Sequence, residues 1–170
     1  MHFLKSRTKT HFLLVCMANI CRSPIAQAVT LHMAYRADVG RELRVDAAGT
    51  HVSRAGVRPD TRGKALLVKH GYAASKNRSR QIVSKDFEKY DLILALDRAN
   101  LKYLQQLCPA EHQHKIRLFM AFALGMEVSE VPDPYYGNAQ GFEHVLALCE
   151  AGAFGLIAHY QSAMRKTHAL

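Results

Sequence analysis

Short, mostly apolar runs alternate along this chain with longer segments that have helical spacing. The runs lie at residues 11–15, 43–47, 91–96 and 115–119, and their lengths are typical of buried strands. The longer segments repeat apolar residues every three or four positions, which is the spacing of amphipathic helices. Strands that alternate with helices in this way predict an α/β fold, with one four-stranded parallel sheet and helices on both of its faces.

Capping and turn residues set the predicted boundaries. Ser followed by Pro favours a helix start, and Gly favours a helix end. Four helices are predicted. The first begins at Ser23, and the second runs from about Asp60 to His70. The third follows a cap at Asp97 and ends before Pro109, and the fourth covers residues 142–164. The predicted loops are residues 48–60, 76–80 and 125–137.

Length and composition predict one globular domain over residues 1–170, with a core at about 11–165 and a flexible extension at 1–10. No stretch approaches the roughly 18 uncharged apolar residues of a membrane helix, so we expect no membrane partner. The four cysteines are too few for a disulfide scaffold and lack the Cys-x2-Cys spacing of zinc sites. We therefore predict a reduced, cytoplasmic protein without a metal ion or cofactor.

The chain is basic, with a formal net charge of +9. Such a protein attracts anions: phosphate esters, nucleic acids or acidic proteins. A nucleic-acid-binding module is the alternative from another functional class, and it rests on the basic residues Lys76, Arg78, Arg80, Lys85 and Lys89. Neither a nucleic-acid-binding motif nor interleaved aromatic residues accompany them, so this alternative is disfavoured.

Residues 16–23 carry the first chemical signal. The segment reads Cys-Met-Ala-Asn-Ile-Cys-Arg-Ser, and it lies between a predicted buried strand and a predicted helix start. In this position successive backbone N–H groups and the helix dipole create an anion-binding loop. Cys16 and Arg22 stand at its two ends, so a thiol and a guanidinium can face one bound anion. The positive surroundings favour the thiolate, and Ser23 is placed to donate a hydrogen bond to it.

Residues 131–137 carry the second signal, and they read Val-Pro-Asp-Pro-Tyr-Tyr-Gly. Two prolines flank Asp133 and stiffen its backbone, which suits a carboxyl group that must hold one position over a pocket. Tyr135 and Tyr136 could wall the same pocket and stack on an aromatic substrate. An ordinary proline turn is the competing interpretation.

Together these motifs resemble the low-molecular-weight protein tyrosine phosphatases. The similarity runs from about residue 12 to 160, through CMANICRSPIAQA, VDAAGT, GVRPDTRGKAL, KHG, DLILALDRANL and DPYYG. The family implies a small four-stranded parallel sheet and metal-free hydrolysis of phosphomonoesters, above all phosphotyrosine in proteins, through a phosphocysteine intermediate. Its substrates in bacteria include autophosphorylating tyrosine kinases, which are therefore candidate partners.

The resemblance assigns roles residue by residue. Cys16 matches the nucleophile, Arg22 the phosphate clamp and Asp133 the general acid. The remaining matched positions are expected to bind substrate or shape the loop: Met17, Ala18, Asn19, Ile20, Cys21, Ser23, Tyr135 and Tyr136. His70 matches a histidine that supports Asn19 from outside the pocket. The family also implies a protective disulfide between Cys16 and Cys21 under oxidation, and phosphorylation of the tyrosine pair.

The sequence departs from the family pattern at three places. Ala18 replaces a glycine, and its methyl group costs about 1–2 kcal/mol if the backbone there needs positive φ. Ala47 replaces a serine that joins the network of Asn19 and His70. The pocket wall in residues 48–56 lacks the usual aromatic residue, and either His51 or Val52 is the substitute.

Two other enzyme classes share this loop and fold. Thiol-type arsenate reductases need relay cysteines near residues 80–90, where this chain has none. Protein arginine phosphatases tend to carry threonine at the position of Ile20, and the branched apolar side chain modestly favours phosphotyrosine. Arginine phosphatase activity is therefore the closest alternative.

Overall fold

The four predicted strands form one parallel sheet. Their bounds are Thr10–Cys16 (β1), Leu43–Gly49 (β2), Leu92–Ala95 (β3) and Ile116–Leu118 (β4). All neighbouring strands pair in parallel, in the order β2-β1-β3-β4. The computed structural model describes residues 9–168, with side chains to residue 166. Most of the predicted extension at 1–10 lies outside this range, but Thr10 already belongs to β1.

Within the described residues, five α-helices cover the sheet. Their bounds are Arg22–Arg36 (α1), Thr61–Lys69 (α2), Ser84–Lys89 (α3), Arg98–Leu107 (α4) and Ala139–His168 (α5). Two short 3-10 helices, Ala110–Lys115 and Phe119–Phe122, flank β4. The predicted fold class is confirmed.

Alternation along β1 divides the core into two halves. Phe12 and Leu14 pack in one cluster with residues of α1, α2 and α5, whereas Leu13 and Val15 pack in the other with residues of α3 and α4. Successive side chains of a strand point to opposite faces of a sheet, so a fully buried strand needs apolar residues at every position. Residues 12–15 of the predicted run satisfy this requirement, whereas His11 at its start is only partly buried.

Two helix starts agree with prediction and one does not. Asp60 and Asp97 cap α2 and α4 through their side chains. The prediction that Ser23 caps the first helix is wrong, because α1 begins at Arg22 and no side chain caps it. The Ser23 hydroxyl instead contacts Cys16 and Asn19 inside the preceding loop.

By length and hydropathy, α5 is apolar enough to cross a membrane, which the sequence prediction overlooked. More than half of its most apolar window, 56%, is buried inside the protein. Close packing explains this burial, because a Cβ atom added at Gly155 would lie only 1.7 Å from the carbonyl oxygen of Phe122. Most apolar residues of α5 therefore belong to the core, although Phe154 is exposed.

Candidate active site

The loop at residues 16–23 connects the end of β1 to α1 and is bound tightly to the segment that follows β2. Three backbone amides of that segment donate to loop carbonyls: Thr50 to Cys16 (2.9 Å), His51 to Met17 (2.8 Å) and Asp60 to Ile20 (2.8 Å). The two segments approach so closely at Gly49 that a Cβ atom there would lie 2.6 Å from the carbonyl oxygen of Met17. These contacts hold the loop before any ligand arrives.

The left-handed residue of this loop is Asn19, with φ of 58°. Asparagine adopts this conformation at lower cost than most residues, because its short polar side chain can bond locally. Ala18 has no positive φ. The methyl group of Ala18 therefore adds no left-handed strain, and it narrows the pocket rim instead.

The thiol of Cys16 lies at the base of the loop and is almost fully buried. Its Sγ atom is 3.1 Å from the hydroxyl oxygen of Ser23, as the sequence predicted. Ser23 in turn accepts a hydrogen bond of 2.9 Å from Asn19 Nδ2. The Ser23 hydroxyl is therefore within hydrogen-bond distance of the sulfur and is itself held in place by Asn19.

Arg22 is buried beneath the same pocket and is bound by two carboxylates. Its Nη1 atom lies 2.5 Å from Asp97 Oδ2 and also donates to the carbonyl oxygen of Val131 (3.1 Å). Its Nη2 atom lies 3.2 Å from Asp133 Oδ2. Burial lowers the pKa of Arg22, but Cys16 and the two carboxylates outweigh it, so the pKa is raised overall. The guanidinium is a fixed positive charge.

Asp133 reaches the pocket from the opposite side and remains half-exposed. The 131–137 segment is anchored at Val131, which is fully buried and donates its N–H to the carbonyl oxygen of Leu96 (2.8 Å). Beyond that anchor, Asp133 Oδ1 accepts the N–H of Tyr135 (3.1 Å). One carboxylate oxygen is thus engaged in a local turn, while the other faces Arg22.

Most of the predicted catalytic and substrate-binding residues line one pocket of about 330 Å³. It is lined by Cys16, Met17, Ala18, Ile20, Cys21, Arg22, His51, Ser53, Asp133, Tyr135 and Tyr136. Asn19 and Ser23 are absent from the lining and brace the loop from behind. Of the two candidates in residues 48–56, His51 lines the pocket and Val52 does not. The His51 ring packs against Tyr103, with 4.8 Å between the ring centroids.

Cys21 is chemically unlike Cys16, although both belong to the loop. Its Sγ atom lies 3.7 Å from Asp60 Oδ2. Burial, followed by the negative charges of Asp60 and Asp133, raises the pKa of Cys21 to about 12. Neither thiol forms a disulfide in this structure. Within residues 9–168, no group of three His, Cys, Asp or Glu side chains could hold a metal ion.

The assignment of His70 is wrong. His70 follows the last turn of α2, where its Nε2 atom lies 2.8 Å from Glu143 Oε2 on α5. The Asn19 side chain is bonded instead to Ser23 and to the backbone N–H of Arg80. The physical reason is that His70 finds an exposed carboxylate nearby, whereas an irregular segment supplies the partner of Asn19. The network forms without a side-chain oxygen at Ala47.

Sequence reasoning missed two residues of the site. Asp97 was predicted only as a helix cap, but its second oxygen binds Arg22. Arg80 was noted only as one of several basic residues. An aspartate directly after the apolar run 91–96 was the available signal for Asp97, because side chains that follow parallel strands meet at one edge of the sheet.

Comparison with known proteins places this pocket in context. The sequence profile of the low molecular weight phosphotyrosine protein phosphatases matches residues 11–167. A low-molecular-weight protein-tyrosine-phosphatase of Streptomyces coelicolor is 40% identical over 147 residues, which are 85% of this chain and 89% of that protein.

Solved structures show the same similarity. A protein tyrosine phosphatase from Entamoeba histolytica superposes with a TM-score of 0.88 at 33% identity, over 92% of this chain and 99% of that one. The Drosophila arginine phosphatase superposes with a TM-score of 0.81 at 29% identity, over 88% of this chain and 96% of that one.

Proposed function

The chain belongs to the low-molecular-weight phosphotyrosine protein phosphatase family, and from that premise we propose how its own residues hydrolyse phosphotyrosine. In this proposal Cys16 is the nucleophile, Arg22 holds the phosphoryl oxygens and Asp133 transfers the proton. One observation carries the proposal. The guanidinium of Arg22, which lies between Asp97 and Asp133, lines the same pocket as the Cys16 thiol.

In the first step the Cys16 thiolate attacks phosphorus, so a P–S bond forms as the P–O bond to the phenol breaks. Arg22 and the loop N–H groups stabilise the charge that develops on the phosphoryl oxygens. Asp133 gives its proton to the departing phenolate oxygen. The bound phosphate competes with the Asp133 carboxyl group for the Arg22 guanidinium.

In the second step the Asp133 carboxylate takes a proton from water. The water oxygen then attacks phosphorus and the P–S bond breaks, which releases inorganic phosphate and the Cys16 thiolate. One carboxyl group serves both steps because they transfer a proton in opposite directions. Its half-exposed position supports this role, since water must reach it.

The pocket lining supports an aromatic substrate. Tyr135 and His51 offer rings at the pocket mouth, and Ile20 adds an apolar surface. Proteins that carry phosphotyrosine are the proposed partners, among them an autophosphorylating tyrosine kinase. Phosphoarginine is the second candidate substrate, because the Drosophila arginine phosphatase shares this fold. We further propose a cytoplasmic location, since four cysteines in 170 residues are too few for a disulfide scaffold.

Hydrolysis of p-nitrophenyl phosphate near pH 5.5 in the presence of EDTA tests the proposal. Cys16→Ser is expected to abolish turnover, and Asp133→Ala to slow it by roughly 10²–10⁴-fold through loss of proton transfer. Phosphotyrosine and phosphoarginine peptides then distinguish the two substrates. Full activity of the Cys16→Ser variant would contradict the mechanism. Loss of wild-type activity on addition of EDTA would contradict it as well, because it would indicate a required metal ion.

A further inference from the structure

Both ends of the Asn19 side chain are hydrogen bonded. Nδ2 donates to the hydroxyl oxygen of Ser23 at 2.9 Å, and Oδ1 accepts the backbone N–H of Arg80 at 3.1 Å. Asn19 is 2% exposed, so water cannot replace either bond without rearrangement of the loop. The segment around Arg80 therefore fixes the orientation of the amide.

The orientation of Asn19 decides what the Ser23 hydroxyl does. That hydroxyl has one hydrogen and two acceptors within reach: Cys16 Sγ at 3.1 Å and the carbonyl oxygen of Ala48 at 3.5 Å. Asn19 Nδ2 donates to one lone pair of the oxygen, and toward a Cys16 thiolate, which has no hydrogen to give, Ser23 can only be the donor. The shorter contact is the one to the Cys16 sulfur. In a rotated Asn19 the amide oxygen would face Ser23 and compete with Cys16 for the single hydroxyl hydrogen.

Every residue except proline offers a backbone N–H, so the special feature of Arg80 is its anchoring. Its guanidinium donates to both oxygens of Asp86, at 2.9 and 3.1 Å, and also contacts the Tyr90 hydroxyl. Asp86 is buried and also accepts the N–H of Val83 at the start of α3. On the backbone, the Arg80 carbonyl accepts the N–H of Gly49. A two-pronged ion pair of this kind is geometrically specific.

We propose that Arg80 is a positioning residue for the nucleophile. Its ion pair with Asp86 holds the Arg80 N–H against Asn19, and Asn19 thereby directs the Ser23 hydroxyl to Cys16. The proposal rests on the proposed role of Cys16. It adds a control point that lies outside the pocket and touches neither substrate nor the reacting atoms.

The test measures the reactivity of Cys16 without any turnover, by alkylation with iodoacetamide near pH 6 and peptide mass spectrometry. The other cysteines react slowly under these conditions because burial raises the pKa of Cys21, Cys108 and Cys149. Arg80→Ala is expected to slow alkylation of Cys16, and to lower kcat for p-nitrophenyl phosphate by about 10–10²-fold with little change in KM. Arg80→Lys is expected to fall in between, since lysine keeps the charge but not the two-pronged geometry.

Arg78→Ala is the matched control. Arg78 lies two residues away, is exposed, and donates its guanidinium to the carbonyl oxygen of Gly56. This variant is expected to alkylate at the wild-type rate. Equal slowing by Arg78→Ala and Arg80→Ala would overturn the proposal, because it would indicate a general effect of positive charge.

The decisive comparison is the double variant Asn19→Ala/Arg80→Ala. If Arg80 acts through Asn19, the double variant alkylates no more slowly than Asn19→Ala alone. If the two substitutions slow alkylation multiplicatively, Arg80 does not act through Asn19, and the proposal is overturned. It is also overturned if Arg80→Lys lowers the melting temperature but leaves the alkylation rate unchanged, since that result shows a merely structural role. Failure of the wild type to hydrolyse phosphate esters would contradict the proposed function instead, and the alkylation result would remain interpretable.

Discussion

The two segments that form the pocket, residues 16–23 and 131–137, are held in different ways. The first is braced along its whole length by backbone amides of the segment after β2 and by the side chains of Asn19 and Ser23. The second is anchored at Val131 and then leaves the core, so that Asp133 is half-exposed and Tyr136 is 97% exposed. The phosphate side of the pocket is therefore built in advance, whereas the leaving-group side is open.

This difference matches the two chemical tasks. Stabilising developing charge on phosphoryl oxygens requires donors that are already in place, because their reorganisation would add to the barrier. Proton transfer to a leaving group, followed by activation of water, requires a carboxyl group that solvent and substrate can both reach. Arg22 links the two segments, since it belongs to the first and pairs with Asp133 of the second.

The largest expected effect is a loss of stability on substitution of Asp97, which pairs with Arg22 on the phosphate side of the pocket. Asp97 Oδ2 pairs with Arg22, and Oδ1 accepts the N–H of Asn100 at 2.6 Å to cap α4. Asp97→Asn keeps a good capping residue but loses the charge, so we expect the free energy of unfolding to fall by about 1.5–3 kcal/mol. Asp97→Ala also loses the cap, which adds about 1 kcal/mol.

Urea unfolding of both variants measures these losses. Glu130→Gln is the control, because Glu130 pairs with Arg98 at the surface, and its loss is expected to be much smaller. Equal stability of Asp97→Asn and wild type would show that Arg22 does not depend on Asp97, and the phosphate side would then be less firmly built than the geometry indicates.

Asp97 also shows what sequence can and cannot predict. A cap is a local property of an aspartate before a helix, so that role was predictable and is confirmed. The contact with Arg22 joins residues 75 positions apart, and no periodicity records it. Cys16, Arg22 and Asp133 could be chosen from their residue types and flanking prolines or strands. That these three residues lie together in one pocket could be established only from the folded structure.

The missed and mistaken elements have similar causes. α3 is six residues long and mostly polar, so helical periodicity had too few turns to show itself. His70 was matched by residue type, but an exposed glutamate across the helix interface determines where its ring lies. Arg80 acts on the loop through a backbone N–H, and a backbone group leaves no mark in a sequence.

A smaller effect is expected on the open side, where the two tyrosines differ. Both tyrosines line the pocket. Tyr135 is 42% exposed and lies under the Arg62 guanidinium, with 5.6 Å between Arg62 Cζ and the centroid of the Tyr135 ring, whereas Tyr136 is 97% exposed. Tyr135→Ala is expected to raise KM for a phosphotyrosine peptide by about 2–10-fold, the worth of roughly 0.5–1.5 kcal/mol of aromatic contact. Tyr136→Ala is expected to have a smaller effect.

Steady-state kinetics with one phosphotyrosine peptide compare the two variants directly. Tyr136→Phe serves as the control, since it keeps the ring and removes only the hydroxyl group. A larger effect of Tyr136→Ala than of Tyr135→Ala would mean that substrate draws the exposed ring over the pocket, so the open side would close during binding rather than stay as the structure shows it.

The smallest effect is expected at Ala18, on the rigid side. The left-handed backbone of the loop is at Asn19 and not at Ala18, so glycine at position 18 relieves no strain. It adds freedom to the unfolded chain, and Ala18→Gly is therefore expected to lower stability by about 0.5–1 kcal/mol. Because the loop is braced from behind, kcat/KM for p-nitrophenyl phosphate should stay within about twofold, a change of less than about 0.5 kcal/mol.

Urea unfolding and the same phosphatase assay check both quantities. A rise in kcat/KM well beyond twofold would show that the Ala18 methyl group obstructs substrate at the rim, and a steep fall would show that the hydrogen bonds behind the loop do not suffice to hold it.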